Sequence, residues 1–585
     1  MVPSTPSRSR RRLRSQRSRR PSRALSPRRR LITVWVILIA SMLGLSAKLA
    51  HLQLVRGSTL KSLANAQQEI HAVPRAARRP VIDRRGNVLA VDRVVYTIYA
   101  HPALFNQPSK AVADALSPLL EHPANDLVQR FTAQETGIKL AADVPEELAE
   151  RIRRLRLDGL ELIAGQQRFY PQQALMSQIL GYINVDGEAQ AGLEYSLQQQ
   201  LLYSEADSSS LSPLLQNAAA KDSLSLQLTL DSRLQRIAQR ALEATVLEHG
   251  AKRGTLIVMD ARDGAILSMA VSPAYDPNRY YEANVEQFKN WAISDLYEPG
   301  STFKPINVAI ALEEDTFGPN DYVYDEGQLK YGEWTIQNAD YSSVGGRGSI
   351  SVTDVLRHSS NVGMVHIMET LNRQRYFEWL QTLGLGRLTG IELPAESPGQ
   401  LKEQGQFVNS EVEAATTAFG QGFSLTPIQL TQLHAALANG GQLVTPHVVR
   451  GLVNPDGELQ WQPQRTAPKT LFSPETTRRV VDMMEAVVES GSGEPAQVAG
   501  YRIAGKTGTA QKANEWGEYG SERITSFVGI VPAEAPRYVV LAVIDEPYGE
   551  DAYGSTVAAP LVKTVIESLV VLQAVAPPGS ESGSN

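Results

Sequence analysis

The sequence predicts an α+β protein: a single N-terminal transmembrane helix, a mixed domain, and a larger domain whose antiparallel sheet is assembled from distant segments and packed by helices. Three observations carry this. One apolar run, Leu31–Ala47, stands directly behind an arginine block. Strand-like runs lie at both ends of the region beyond residue 225, with helical periodicity between them. A chain of 585 residues also exceeds one ordinary domain.

Taken in order, residues 1–30 hold twelve arginines and no acidic residue. The net charge of −5 therefore hides a remainder of −17. The next segment, LITVWVILIASMLGLSA, has seventeen residues and spans roughly 26 Å as a helix, enough for a bilayer with Leu49 and Ala50 added. An arginine block beside such a span sets the N-terminus in the cytoplasm and the rest of the chain outside. It is read as a topogenic signal, and no nucleic acid partner is expected. No A-x-A site precedes Lys48, so residues 31–50 are taken as a retained anchor rather than a cleaved signal peptide.

Residues 51–225 show no catalytic cluster. Val81–Pro102 alternates as strands do, with Arg85-Gly86-Asn87 as a turn, and Asp143–Leu157 reads as a charged helix. The Ser-rich stretch Tyr203–Lys221 marks a linker and a domain boundary. Beyond it come a helix from Asp231 to about Glu248 and a hairpin of Gly254–Met259 with Ala265–Val271. A second hairpin, Ile524–Val531 with Arg537–Ile544, precedes a helix from about Ala558 to Leu572. Residues 576–585 are Pro/Gly/Ser-rich and expected to be disordered. The chain contains no cysteine, which excludes disulfides, thiolate metal sites and cysteine catalysis.

Three short motifs carry chemistry. In Glu298-Pro299-Gly300-Ser301-Thr302-Phe303-Lys304, Ser301 and Lys304 share a face if a helix begins here. A desolvated lysine can take the serine's proton. Pro305 removes a backbone donor, at modest cost in a first turn. Ser359-Ser360-Asn361 follows a helix over Ser351–His358, and Lys506-Thr507-Gly508-Thr509 ends the strand-like Tyr501–Ala504. In order, these are the S-x-x-K, S-x-N and K-T-G motifs of serine acyl-transfer enzymes.

Each residue type has a use. Ser301 is the nucleophile, and its backbone amide with that of Thr509 would form an oxyanion hole. Lys506 supplies charge that keeps Lys304 deprotonated. Ser359 shuttles a proton to the leaving amine, and Asn361 orients Lys304 and the substrate amide. Gly508 lets a substrate backbone approach the strand, while the hydroxyls of Thr507 and Thr509 suit a terminal carboxylate. No acid is placed to orient His358 into a triad. Gly491-Ser492-Gly493 lacks the lysine of a phosphate loop and reads as a flexible turn. No metal or cofactor is expected.

With these residues placed, the chain resembles a class B penicillin-binding protein of the division type, an FtsI-type peptidoglycan D,D-transpeptidase. Arg78–Gly86 is similar to the family's R-G-x-I-x-D-R-x-G motif, with Arg79 in place of its glycine. Arg168–Pro171, Gly181–Asp186 with Gly192–Glu194, Phe419–Gly422 before Thr426–Leu430, and Gly554–Pro560 resemble further family segments. The wording of Ala415–Leu430 and Thr445–Val449 resembles cyanobacterial members. The resemblance implies five parts: a cytoplasmic tail (1–30), a transmembrane helix (31–50), an elongated periplasmic pedestal or dimerisation domain (51–225), a transpeptidase domain (226–575) and a tail (576–585). It implies a stem pentapeptide ending in D-Ala-D-Ala and an acceptor stem peptide as substrates, and β-lactams as acylating ligands. A membrane glycosyltransferase and other divisome proteins are the partners it implies.

Several readings stay beside this one. An elongation-type transpeptidase would use the same chemistry in another complex. A bifunctional class A enzyme would need an acidic glycosyltransferase motif before Ser301. A β-lactamase would need a deacylating glutamate, and Glu369 stands one place out of register for that role. A β-lactam sensor or scaffold would have no need of all five of Ser301, Lys304, Ser359, Asn361 and Lys506.

Overall fold

Runs such as Tyr538–Asp545, apolar at nearly every position, suit a strand buried on both faces rather than one. A computed structural model, describing residues 27–51, 77–203, 223–318, 321–332, 334–513 and 519–577, shows that arrangement. The expected Arg-rich tail up to residue 26, the linker from residue 204 and the tail from residue 578 lie outside the described residues. The chain divides into two compact units, Met1–Pro74 and Arg75–Asn585.

The first unit is described through the helix α1, Pro27–Ala50. Its apolar side chains, Leu31, Ile32, Trp35, Leu38 and Met42 among them, are exposed. The C-terminal segment Gly554–Leu572 is also long and apolar, but half of it is buried, as befits a core element.

In the second unit, β1 (Val81–Ile82) and β2 (Val88–Ala100) pair antiparallel across the Arg85-Gly86-Asn87 turn. β2 also pairs with β3 (Ile138–Pro145) and β4 (Leu160–Phe169), over a small core of Ile98, Leu116, Leu127 and Ile152. The helix expected over Asp143–Leu157 is shorter, α2 at Glu146–Arg154. Asp143 and Val144 belong to β3, because Pro145 disfavours helical backbone in the residue before it. β5 (Ser225–Leu228) joins β1 in parallel and a later strand, Val449–Val453, antiparallel. One sheet thus runs across the boundary expected at residue 225.

The rest of the second unit is organised by α3 (Ser232–Glu248) and five antiparallel strands. These are β6 (Arg253–Asp260), β7 (Ala265–Ser272), β8 (Ala504–Ala513), β9 (Tyr519–Val531) and β10 (Tyr538–Asp545), in the spatial order β8-β9-β10-β6-β7. Alternate residues serve two cores. Leu256, Val258, Val540 and Ala542 meet α3 and the helix Ala559–Leu572, whereas Ile257, Met259, Val539 and Leu541 face the other core. That second core includes Ile306 of the helix Lys304–Glu313, Leu430 and Leu433 of Pro427–Ala438, and Met484 of Pro474–Ser490. Each such side chain contributes about 1.5–3 kcal/mol by leaving water. The turn Gly300–Phe303, which leads into Lys304–Glu313, therefore lies against β8, the edge strand of the sheet.

Candidate active site

The site begins at a left-handed glycine. Gly300 has φ +56° and opens a short 3-10 turn, Gly300–Phe303, ahead of the α-helix that starts at Lys304. Ser301 therefore sits on the turn, three residues before the start of the helix expected to begin with it. Pro305 falls among the first helical residues, whose N–H groups have no intrahelical acceptor, so its missing donor costs nothing. The turn is pinned from three sides. Thr302 Oγ1 donates to Pro299 O at 2.7 Å, Gly300 N–H donates to Gly420 O at 2.9 Å, and Glu298 accepts from Gly422 N–H at 2.9 Å.

Lys304 is completely buried, and its Nζ reaches the second motif rather than Ser301. It donates to Ser359 O at 2.5 Å and Asn361 Oδ1 at 2.8 Å, and lies 3.3 Å from Ser359 Oγ. Asn361 is oriented by its own Nδ2, which donates to Gln337 O at 2.9 Å. Ser360 caps the helix Asn361–Glu369 by accepting from Gly363 N–H at 2.8 Å. Ser359, just before it, adopts φ +57°, an unfavourable conformation for a residue with a Cβ.

Lys506 is equally buried; its Nζ donates to Ser359 Oγ at 2.9 Å and Thr507 O at 3.1 Å. Burial, and next the Lys506 charge, hold the Lys304 ammonium well below the ordinary lysine range. Burial brings Lys506 down to about 7. Ser359 Oγ thus bonds to lysines rather than to His358, whose imidazole burial also disfavours in its charged form.

The third motif lies inside a strand, not at the end of one. Strand β8 starts at Ala504, and Lys506–Thr509 pair with Val528–Thr525 of β9. Gly508 also has a different reason for being glycine: a Cβ there would stand 2.4 Å from Ser526 Oγ and 2.9 Å from Thr302 Cγ2. Its bare face lets β8 pack on the Gly300–Phe303 turn. Thr507 Oγ1 lies 2.6 Å from Ser492 Oγ, and Thr509 Oγ1 accepts from Gly554 N–H at 3.1 Å.

All eight residues expected from the motifs, Ser301, Lys304, Ser359, Asn361, Lys506, Thr507, Gly508 and Thr509, belong to this one cluster of packed segments. Others had no readable signal. Ser492, in the Gly-Ser-Gly stretch read as a loose turn, touches Thr507. Asn338 holds the start of the helix Asn361–Glu369, and buried Asp325 holds Asn338. Glu369 ends that helix and bonds Tyr331 and His366, so it is engaged at the surface.

Comparison with known proteins gives a consistent picture. Residues 254–567 match the penicillin binding protein transpeptidase domain, and residues 74–208 match the penicillin-binding protein dimerisation domain. The chain is 39% identical over 576 residues to a peptidoglycan D,D-transpeptidase FtsI homologue of Mesostigma viride, covering 94% of this chain and 96% of that protein. It is 36% identical to the corresponding protein of Chlorokybus atmophyticus, covering 94% and 97%. The crystal structure of penicillin binding protein 3 from Mycobacterium tuberculosis, complexed with aztreonam, superposes with TM-score 0.66 at 26% identity, covering 86% of this chain and 98% of that one.

Proposed function

This chain belongs to the penicillin-binding protein transpeptidases, of the FtsI-type D,D-transpeptidase kind, and on that premise we propose that Ser301 forms an acyl-enzyme with peptidoglycan stem peptides. The observation that carries the roles is the bonding of Lys304. A neutral amine has two N–H groups and one lone pair. Ser359 O and Asn361 Oδ1 take the two donors, which leaves the lone pair for a hydroxyl.

In this reading Lys304 takes the proton of Ser301 as Oγ bonds to the carbonyl carbon of the penultimate D-Ala. The backbone N–H groups of Ser301 and Thr509 receive the oxyanion. The C–N bond then breaks, and terminal D-Ala leaves with a proton delivered through Ser359 Oγ, which Lys506 and Lys304 flank. An amino group of an acceptor stem next attacks the ester, restores Ser301 and forms the cross-link. Lys506, Thr507 and Thr509 hold the substrate carboxylate. β-Lactams acylate the same serine.

The helix Pro27–Ala50 serves as the membrane anchor, with the arginine-rich end cytoplasmic and the catalytic domain periplasmic. Residues 51–225 are the pedestal and 226–575 the transpeptidase domain, and the working complex is the septal one, with a membrane glycosyltransferase and other divisome proteins. The test is labelling with a fluorescent penicillin, wild type against Ser301→Ala, with the adduct located by mass spectrometry. A stable adduct on Ser301, lost in the variant, is expected. Rapid turnover without an adduct would mean a β-lactamase, and no labelling a scaffold.

A further inference from the structure

Asp325 is fully buried and has no role in the chemistry above. It ends the strand Tyr322–Asp325, which turns Tyr322 and Tyr324 to solvent and Val323 and Asp325 inward. A buried carboxylate is tolerated when donors fill its oxygens. Asn338 Nδ2 lies 2.8 Å from Oδ1 and 2.9 Å from Oδ2, Gly327 N–H donates to Oδ1 at 2.7 Å, and Arg347 stands 4.0 Å from Oδ2. An ionised carboxylate has no proton to give, so it can face only the NH2 end of the amide. That fixes which way Asn338 points.

The amide oxygen of Asn338 is thereby aimed at the second motif. It accepts from Asn361 N–H at 2.8 Å, Val362 N–H at 3.2 Å and Ser360 Oγ at 3.2 Å. These backbone donors open the helix Asn361–Glu369 and have no acceptor within it. Immediately before them stands Ser359 at φ +57°, a conformation that persists only where its surroundings over-determine it. The same turn supplies all three contacts of Lys304 Nζ with Ser359 and Asn361.

From this chain of contacts we infer that Asp325 and Asn338 are positioning residues for the acylation: the carboxylate locks the amide, the amide locks the S-x-N turn, and the turn sets Lys304 Nζ. They act through Ser359 and Asn361. The inference rests on Ser301 and Lys304 being the reacting pair. The charged or titratable groups around them are Arg347, Asp340 bound to Arg347, Lys304, His358, and the Glu326–His366 pair.

The test uses the full-length chain and the second-order acylation constant for a fluorescent penicillin, from about pH 5 to about pH 9, with thermal melting in parallel. Asn338→Ala and Asp325→Asn should lose about a hundredfold, the effect of a small misplacement of a catalytic group. Asn338→Asp keeps the volume but sets two carboxylates face to face. At low pH they share a proton, and one O–H replaces the amide donor; at higher pH both are charged and the lock fails. The ratio of Asn338→Asp to wild type should therefore fall as pH rises. A merely structural asparagine would change the melting temperature and leave that ratio flat, and a flat ratio overturns the inference whatever becomes of the other two variants. Failure of the wild type itself to label at Ser301 would instead defeat the underlying reading.

Discussion

Lys304 and Lys506 converge on one oxygen, their Nζ atoms lying 3.3 Å and 2.9 Å from Ser359 Oγ. Both side chains are fully buried, so two full charges there would repel without water to screen them. On the proposed roles, Lys304 is neutral and Lys506 protonated in the reactive state. Because burial brings Lys506 down to about 7, the acylation constant of the free enzyme should descend as pH rises through that value. Lys506→Arg keeps its charge throughout, so its profile should lack the descending limb even if its absolute rate is lower. A limb that persists unchanged in Lys506→Arg would assign it to some other group.

The same burial makes Lys506 a liability for stability. In the unfolded chain its amine has the ordinary pKa near 10.5, and in the folded protein about 7. Between those values the unfolded state binds the extra proton, so stability rises with pH across that window and is lowest below it. Replacing Lys506 with Met should therefore raise the melting temperature most at about pH 6.5, and the gain should shrink toward about pH 10. Differential scanning calorimetry at several pH values measures this. A gain independent of pH would show that packing, not charge, is responsible.

Gly420 makes a sharper mechanical prediction. It has φ +86°, and a Cβ on it would stand 2.0 Å from Gly300 O, the carbonyl just before Ser301. Neither atom is the end of a flexible side chain, so Gly420→Ala must push the turn that bears Ser301 away. The expected result is a loss of about a hundredfold in penicillin acylation with the secondary structure intact by circular dichroism. Acylation at the wild-type rate would refute the clamp.

The difference between what the sequence discloses and what it conceals follows from locality. Ser301 with Lys304, and Ser359 with Asn361, are readable because each pair lies within one turn of chain. The strands Arg253–Asp260 and Tyr538–Asp545 are readable because a sheet covered on both faces leaves a continuous apolar run. Asn338 and Asp325 are ordinary residues of a polar stretch until folding brings them to the helix Asn361–Glu369. Gly508 was legible as a necessary glycine, but which face is crowded depends on β8 packing against Thr302. Likewise the start of β8 at Ala504 depends on its register with β9, since the lysine and glycine of Lys506-Thr507-Gly508-Thr509 offset the strand preference of its threonines.

Ser492 tests whether such a through-space partner matters to function. Its hydroxyl lies 2.6 Å from that of Thr507, and the turn presenting it is closely packed, since a Cβ on Gly491 would stand 2.7 Å from Arg357 O. Two hydroxyls in contact share one proton between them and leave the other free, so Ser492 sets the direction in which Thr507 can donate. Ser492→Ala frees the Thr507 hydroxyl to rotate and removes no direct contact of Lys304 or of Lys506, whose Nζ lies 3.4 Å from Thr507 Oγ1. A single neutral hydrogen bond is worth ~1 kcal/mol, about fivefold in rate or affinity. That loss is expected in acylation by a penicillin bearing its carboxylate, and it should vanish for the methyl ester of the same compound. Equal losses for acid and ester would remove Thr507 from carboxylate recognition.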